Sequence, residues 1–312
     1  MVRCRIPRDA AGLVLLDFLV QRFTYHSRAD WSERLVAGRV ELGGRPATGT
    51  EILAADDVLD YHCGDIPEPP VPLDVRVVHE DEDLLVVAKP PGLPVHPAGH
   101  YFAHTLWGVL RARGYDSLHF LSRLDRETSG LLLVARNSAA AARYQRLAGE
   151  GGVGKTYLVA VEGDFPESLD ATGWLEADSA SVIRKKRRFS RIRPDAADAQ
   201  DAATHFRCLC RHDGLSLVQA ELATGRTHQI RATLCSLGFP VVGDKIYGRD
   251  ETWFLRFRDD CLTPADRVAL RLDHQALHAW RLTVRLPGQT PATWTAPPPD
   301  DLAALFPFFP AL

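Results

Sequence analysis

The chain has 312 residues, a hydrophobic fraction of 46%, a charged fraction of 25% and a net charge of −3. This is apolar material enough for one large domain with a small companion, or for two medium domains. No apolar run approaches the roughly 18 residues of a membrane span, and the short N-terminal apolar stretch is broken by Asp17 with no small-residue cleavage site after it, so neither a membrane partner nor a secretory leader is expected. The six cysteines (Cys4, Cys63, Cys208, Cys210, Cys235, Cys261) are scattered, and C-x-C is not the spacing of a structural zinc site. Reduced thiols in a cytoplasmic monomer are the expectation.

In chain order, Leu13, Leu16, Phe18, Leu19 and Phe23 recur with helical period over 12–23. Ser27 can cap a second helix, with Asp30 three residues on in capping-box position, and Gly38 ends it. Arg39-Val40-Glu41-Leu42 alternates like a strand and enters a Gly43-Gly44 turn. Four prolines in the six residues 67–72 deny the backbone the donors that helix or sheet requires. They predict a linker over 64–74 between an N-terminal domain, 1–63, and a larger domain, 75–312. In the larger domain short apolar runs predict strands at 75–78, 84–88, 131–135, 157–161, 215–220 and 282–286. Helical patterns fall at 138–147 and 229–237. Strands outnumber helices and do not alternate with them, which predicts an α+β fold on a mixed sheet. There are no internal repeats.

The mild acidity conceals an asymmetry. Residues 51–83 carry eleven acidic side chains, whereas 184–193 hold seven cations in ten residues: Arg184, Lys185, Lys186, Arg187, Arg188, Arg191 and Arg193. Such a run is either a patch for a polyanion or a solvated basic loop. Residues 149–156, GEGGVGKT, match the phosphate-binding pattern G-x-x-x-x-G-K-[ST]. That pattern works only when a strand precedes the loop and a helix N-terminus follows it. Here an alanine-rich helix precedes and a strand-like run follows, so no nucleotide cofactor is expected. Nor is a metal, since the histidines form no H-E-x-x-H or comparable ligand set.

One segment places a carboxylate at the mouth of a buried strand: Leu121-Ser122-Arg123-Leu124-Asp125-Arg126-Glu127-Thr128-Ser129-Gly130, followed by Leu131-Leu132-Leu133-Val134. Withdrawing Asp125 from water costs free energy unless a cation or hydrogen bonds compensate. It is either a reactive carboxylate or a residue that satisfies turn amides.

The helix–helix–strand pattern of about the first 60 residues, with LLDFLV, HSR and AGRVELGG, resembles the S4 RNA-binding module. RLDRETSG resembles the R-L-D-x-x-T-S-G signature of the RluA-type pseudouridine synthases. Four more segments agree with that family in order: the lysine-proline stretch Asp83–Pro97, Lys155-Thr156-Tyr157, Thr224-Gly225-Arg226-Thr227-His228-Gln229-Ile230-Arg231 running on to Gly243-Asp244-Lys245, and Ala276-Leu277-His278-Ala279. The sequence departs from the family at Ser122 and Thr233, where histidine is usual.

The resemblance implies a pseudouridine synthase fold, a bent, mixed, largely antiparallel sheet with flanking helices, and isomerisation of uridine to pseudouridine without a cofactor. It puts the catalytic carboxylate on Asp125, its paired arginine on Arg226 and the active-site tyrosine on Tyr157. Ile230 is the floor for the base, and Arg123 fills the space left by a flipped uridine. Arg184, Lys185, Lys186, Arg187 and Arg188 contact phosphates. Large-subunit ribosomal RNA is the expected substrate. Transfer RNA, or a non-catalytic RNA-binding or ribosome-assembly role on the same fold, is the alternative.

Overall fold

The computed structural model describes residues 2–23, 26–62, 68–99 and 101–307. The chain divides into two compact units, Met1–Pro70 with His96–Gly108, and Val71–Val95 with Val109–Leu312.

In the first unit strand β1 (Val2–Arg5) is followed by helices α1 (Leu15–Arg22) and α2 (Arg28–Val36) and by strands β2 (Val40–Leu42), β3 (Arg45–Pro46) and β4 (Val58–Tyr61). The strands form an antiparallel sheet in the order β1-β4-β2-β3. The capping box is present: the Ser27 side chain accepts from the Asp30 amide, and the Asp30 carboxylate accepts from the Ser27 amide. Leu15, Phe18 and Leu19 of α1 and Trp31 and Leu35 of α2 bury against Val40, Leu59 and Tyr61. Residues 64–67 of the linker segment lie outside the described residues. Glu68, at its described end, is not a spacer residue, since its carboxylate accepts the amides of Phe102, Ala103 and His104, each at 2.8 Å.

The second unit contains β5 (Arg76–Glu80), β6 (Leu84–Lys89), most of α3 (Leu106–Ala112), β7 (His119–Phe120), β8 (Ser129–Ala135), α4 (Ser138–Gly149), β9 (Val153–Glu162) and β10 (Ser168–Ala177). Then come β11 (Arg187–Ser190), β12 (Gln200–His212), β13 (Leu215–Leu222), α5 (Gln229–Ser236), α6 (Thr252–Arg258), α7 (Pro264–Leu270), β14 (Leu277–Val284), β15 (Ala292–Thr295) and α8 (Asp300–Ala304). The strands form one sheet, ordered β11-β10-β12-β13-β9-β14-β8-β6-β5, with β15 beside β14 and β7 beside β8. All pairings are antiparallel except β8 with β14, which is parallel through Ser129↔His278 and Gly130↔Ala279. Gly130 has φ +107°, and a Cβ there would lie 2.3 Å from the Ala279 carbonyl oxygen. Only glycine lets the two strands approach so closely.

The helix–loop–strand order at 149–156 is observed: α4 ends at Gly149 and β9 begins at Val153. No helix N-terminus follows the glycines. β10 and β12, the long strands absent from the sequence reading, alternate polar and apolar residues (SLDATGWLEA, QDAATHFRCLCRH) and bury only one face. They make the surface from which β11, the core of the basic run, is hung.

Candidate active site

The Asp125 loop is a tight turn leading into β8, with the Thr128 amide donating to the Asp125 carbonyl at 3.1 Å. Lys89, at the end of β6, is buried beneath it. Its ammonium donates to the carbonyls of Pro90 (2.9 Å), Leu93 (2.8 Å) and Arg126 (3.0 Å). Burial pulls its pKa down to about 7, but three acceptors match the three hydrogens of the charged form, so the lysine acts as a tripod under the loop.

Asp125 faces a cleft of about 400 Å3, counted to its open mouth, with Arg123, Leu124, Thr128, Tyr157, Leu222, Arg226, His228, Gln229, Ile230, Arg231 and Leu277 around it. Its carboxylate is 32% exposed. Arg231, on the first turn of α5, donates from Nη1 to Asp125 Oδ2 at 2.6 Å. The same guanidinium makes a bidentate pair with Asp244, Nε to Oδ2 at 2.6 Å and Nη2 to Oδ1 at 2.8 Å. Asp244 is in turn fixed by the amides of Ile246 and Tyr247. This fork geometry suits arginine and not lysine. Burial opposes ionisation of Asp125, but the Arg231 charge, aided by His228, outweighs it and holds the carboxyl at about 2. Gln275 Nε2 lies 3.4 Å from the same oxygen and is itself tied to Thr128.

His228 caps α5 in the left-handed conformation, φ +57°. Its Nε2 is 3.7 Å from Asp125 Oδ1, and its Nδ1 is 2.9 Å from the hydroxyl of Tyr247. That hydroxyl already accepts the Arg187 amide at 2.9 Å. When that hydroxyl gives its proton to Nδ1, the imidazole hydrogen is on Nε2, the nitrogen nearer Asp125. Burial keeps the ring neutral, with its pKa lowered to about 4. Tyr157, from β9, is buried in the cleft wall. Burial, then the Asp125 charge, pushes its phenol above the ordinary tyrosine value, so it stays protonated at neutral pH. It can pack on a base or donate a hydrogen bond. A resting general base it is not.

Five sequence-predicted residues, Asp125, Tyr157, Arg123, Ile230 and Arg226, surround one cleft. One pairing needs correction. Arg226 does not pair with Asp125; it turns to the strand surface, donating from Nε to the Asp201 carbonyl at 3.0 Å and from Nη2 to the Asp201 carboxylate at 2.5 Å. Arg231, five residues on, takes the place assigned to it. The reason is the start of α5 at Gln229: residue 231 is inside the helix and faces the core, whereas 226 lies in the exposed approach to it. Arg123 is exposed at the cleft edge, without a hydrogen-bond or ion-pair partner among the described residues. Of the basic run, Lys186 pairs with Glu251, Arg187 with Asp198 and Arg188 with Glu176. Lys185 sits 4.5 Å over the Phe254 ring, and Arg184 is exposed.

A carboxylate kept ionised by a buried guanidinium, beside a protonated tyrosine and an apolar isoleucine, can stabilise or attack an electron-poor carbon. Residues 83–236 match the RNA pseudouridylate synthase family. An uncharacterized RNA pseudouridine synthase of Synechocystis is 35% identical over 75% of this chain and 79% of its own length. The ribosomal large subunit pseudouridine synthase D of Nitrosomonas europaea is 30% identical over 97% and 86%. The tRNA pseudouridine(31) synthase of Saccharomyces cerevisiae is 33% identical over 76% and 67%. The solved structure of human RNA pseudouridylate synthase domain containing 1 superimposes with TM-score 0.58 at 27% identity, covering 73% of this chain and 86% of that one. The chain belongs to the RNA pseudouridylate synthase family and is a pseudouridine synthase, an isomerase.

Proposed function

We propose that this enzyme converts uridine to pseudouridine in large-subunit ribosomal RNA, with Asp125 as the catalytic carboxylate and Arg231 as the residue that orients it. The observation that carries the assignment of roles is the relay Asp125–Arg231–Asp244, which fixes an ionised carboxylate in an open cleft. In the reaction the C1′–N1 bond of uridine breaks, the base turns, a C1′–C5 bond forms, and the proton lost from C5 is balanced by one gained at N1. Asp125 supplies negative charge to the carbon left electron-poor, or bonds to it through an oxygen that leaves again when C5 attacks. Tyr157 and Ile230 pack on the uracil while it turns. A base inside folded RNA must first leave its stack, and Arg123, exposed at the cleft edge, is placed to enter the space vacated. Nothing in this sequence of bonds requires a redox cofactor or an energy source.

Ribosomal RNA is favoured over transfer RNA by the extent of similarity. The Nitrosomonas enzyme aligns over 97% of this chain and therefore through the first unit, whereas the yeast tRNA enzyme aligns over 76%. The two helices and small sheet of the first unit fit an S4-like RNA-binding role. Described cysteines are free, in keeping with a reducing cytoplasm, and we read the enzyme as a monomer.

Asp125→Asn keeps the shape of the side chain but removes its charge. Pseudouridine formation under single-turnover conditions should fall by at least a hundredfold, about 2.7 kcal/mol. Filter binding of the same RNA should persist, because phosphate contacts elsewhere supply most of the affinity. A smaller loss of rate would make Asp125 a turn-capping residue. Mapping pseudouridine across cellular RNA in a deletion strain tests the substrate.

A further inference from the structure

We propose that the outer face of β10 and β12, beside the catalytic cleft, is a second RNA subsite that takes one single-stranded nucleotide flanking the target uridine. Trp174 receives its base and Arg191 its phosphate. The proposal rests on the reading of this chain as an enzyme acting on RNA.

A groove of about 460 Å3, counted to its open mouth, is formed there by Thr172, Gly173, Trp174, Arg191 and the stretch Asp201–Ala203. It shares a wall with the catalytic cleft. Arg226, in the cleft, is bonded to Asp201 in the groove, and Gln229, also in the cleft, donates to the Ala203 carbonyl at 3.1 Å. Trp174 is directly opposite Asp201 in the β10–β12 ladder. One strand spacing thus separates the tryptophan from the residue that anchors the cleft arginine, a distance one nucleotide can bridge. Trp174 is half-buried on the solvent face, while Gly173 and Leu175 point inward. On the inner side of the strand, a Cβ on Gly173 would lie 2.3 Å from the Ser190 carbonyl oxygen and 2.8 Å from the Phe189 ring, so glycine lets β10 and β11 pair closely beneath the groove.

The charges favour a phosphate. Asp201 is the acid of the groove, and Arg226 neutralises it. Lys186, Arg187 and Arg188 are engaged by carboxylates, so the basic run projects its remaining charge through Arg184, Lys185, Arg191 and Arg193. Arg191 is exposed and has no partner among the described residues. Arg193, exposed, lies 4.8 Å over the Trp174 ring; a nucleobase displaces this guanidinium from the ring face, and the cation then stands beside the nucleotide. An aromatic face with a free cation beside it is the arrangement that holds single-stranded nucleotides without reading their sequence.

The test uses the full chain and a 5′-fluorescein-labelled decauridylate, with affinity read by fluorescence anisotropy over a salt series. Trp174→Ala should weaken binding about tenfold, as expected for one lost base stack, without changing the salt slope. Trp174→Phe should retain most of the affinity. Arg191→Ala should weaken binding and lower the slope of log affinity against log salt by about 0.7, the value for one phosphate on a single strand. Arg146→Ala, on the exposed surface of α4, is the control and should change neither. Circular dichroism checks folding; if Trp174→Ala unfolds, Trp174→Leu replaces it. Binding by the tryptophan variant within twofold of wild type, an equal loss in Arg146→Ala, or no binding of decauridylate by the wild-type protein would each overturn the subsite. Asp125→Asn separates the two ideas: if it abolishes isomerisation while Trp174→Ala binds normally, the catalytic reading stands without the subsite.

Discussion

The Arg231 side chain is 5% exposed and forms ion pairs with two carboxylates, one of them, Asp244, fully buried. On the basic run, Arg187 is 31% exposed and pairs with Asp198, itself 47% exposed. Both regions join arginine to carboxylate at similar distances, yet the physics differs. A buried pair has lost its water and becomes costly once broken, whereas an exposed pair contributes about 0–1 kcal/mol and can be exchanged for a phosphate. The cleft therefore has one fixed electrostatic state. The basic run is a surface from which cations can be recruited.

The largest expected effect breaks the fixed region. Arg231→Ala strips the countercharge from Asp244 and Asp125 together; stability should fall by about 3–5 kcal/mol, and single-turnover isomerisation by more than a hundredfold. Arg226→Ala, on the exposed side, should cost no more than about 0.5 kcal/mol of stability and less than tenfold in rate. Denaturant melts and rate measurements on the two variants check this. If the alanine at 226 proves the more damaging, the pairing seen here is not the catalytic one.

Acid should unfold the second unit before it neutralises Asp125. Burial lowers the pKa values of His228 and His278 from 6.5 to about 4. Between those values the unfolded chain binds protons that the folded one does not, so their contribution is complete above pH 6.5 and is lost as pH falls toward 4. The Asp125 contribution is lost lower, as pH falls from the ordinary carboxylate range to about 2. Thermal melts at pH 7, 5.5 and 4.5 should show a falling Tm, and His278→Asn should flatten that limb. A constant Tm would mean that the imidazoles titrate normally. Because His228 stays neutral, the rate should also lack an inflection near pH 6.5.

Smaller effects sharpen the other side of the comparison. Arg184→Ala should reduce the salt dependence of RNA binding, whereas Lys186→Ala, which removes a cation held by Glu251, should scarcely change it; filter binding over a salt series distinguishes them. Least of all, EDTA and omission of ATP should leave the rate within twofold, since the glycine-rich stretch at 149–156 precedes a strand. A strict ATP requirement would reopen the nucleotide reading.

The sequence was most legible where apolar periodicity or a cap ruled: α2 with its Ser27–Asp30 box, α4, β6, β8 and β9 were all placed to within a few residues. β10 and β12 were not, because half of each strand faces solvent and carries no apolar run. The cleft was legible as a set of motifs but not as a set of bonds. Both arginines of the G-R-T-H-Q-I-R segment were in view. Arg231 could have been chosen because a charged residue on the apolar helix QIRATLCS needs a buried partner, and Asp244 stands in the following Gly243-Asp244-Lys245 segment. His228, Gln275 and Tyr247 carried no such signal. Their roles arise from a left-handed helix cap and from strand ends brought together by the fold. In the basic run, residue count left a polyanion patch and a solvated loop equally open, and only the neighbouring carboxylates reveal which cations are committed.

The contact between Gly130 and Ala279 has a practical meaning for anyone who wishes to retarget this enzyme. The parallel junction of β8 with β14 brings the Asp125 turn and Gln275 side by side, and it closes only because residue 130 has no side chain. A library that varies 129–130 would spend its diversity on misassembled variants. Diversity placed at Arg184, Arg191, Arg193 and Trp174 would alter the proposed RNA surface while leaving the Asp125 carboxylate where it is.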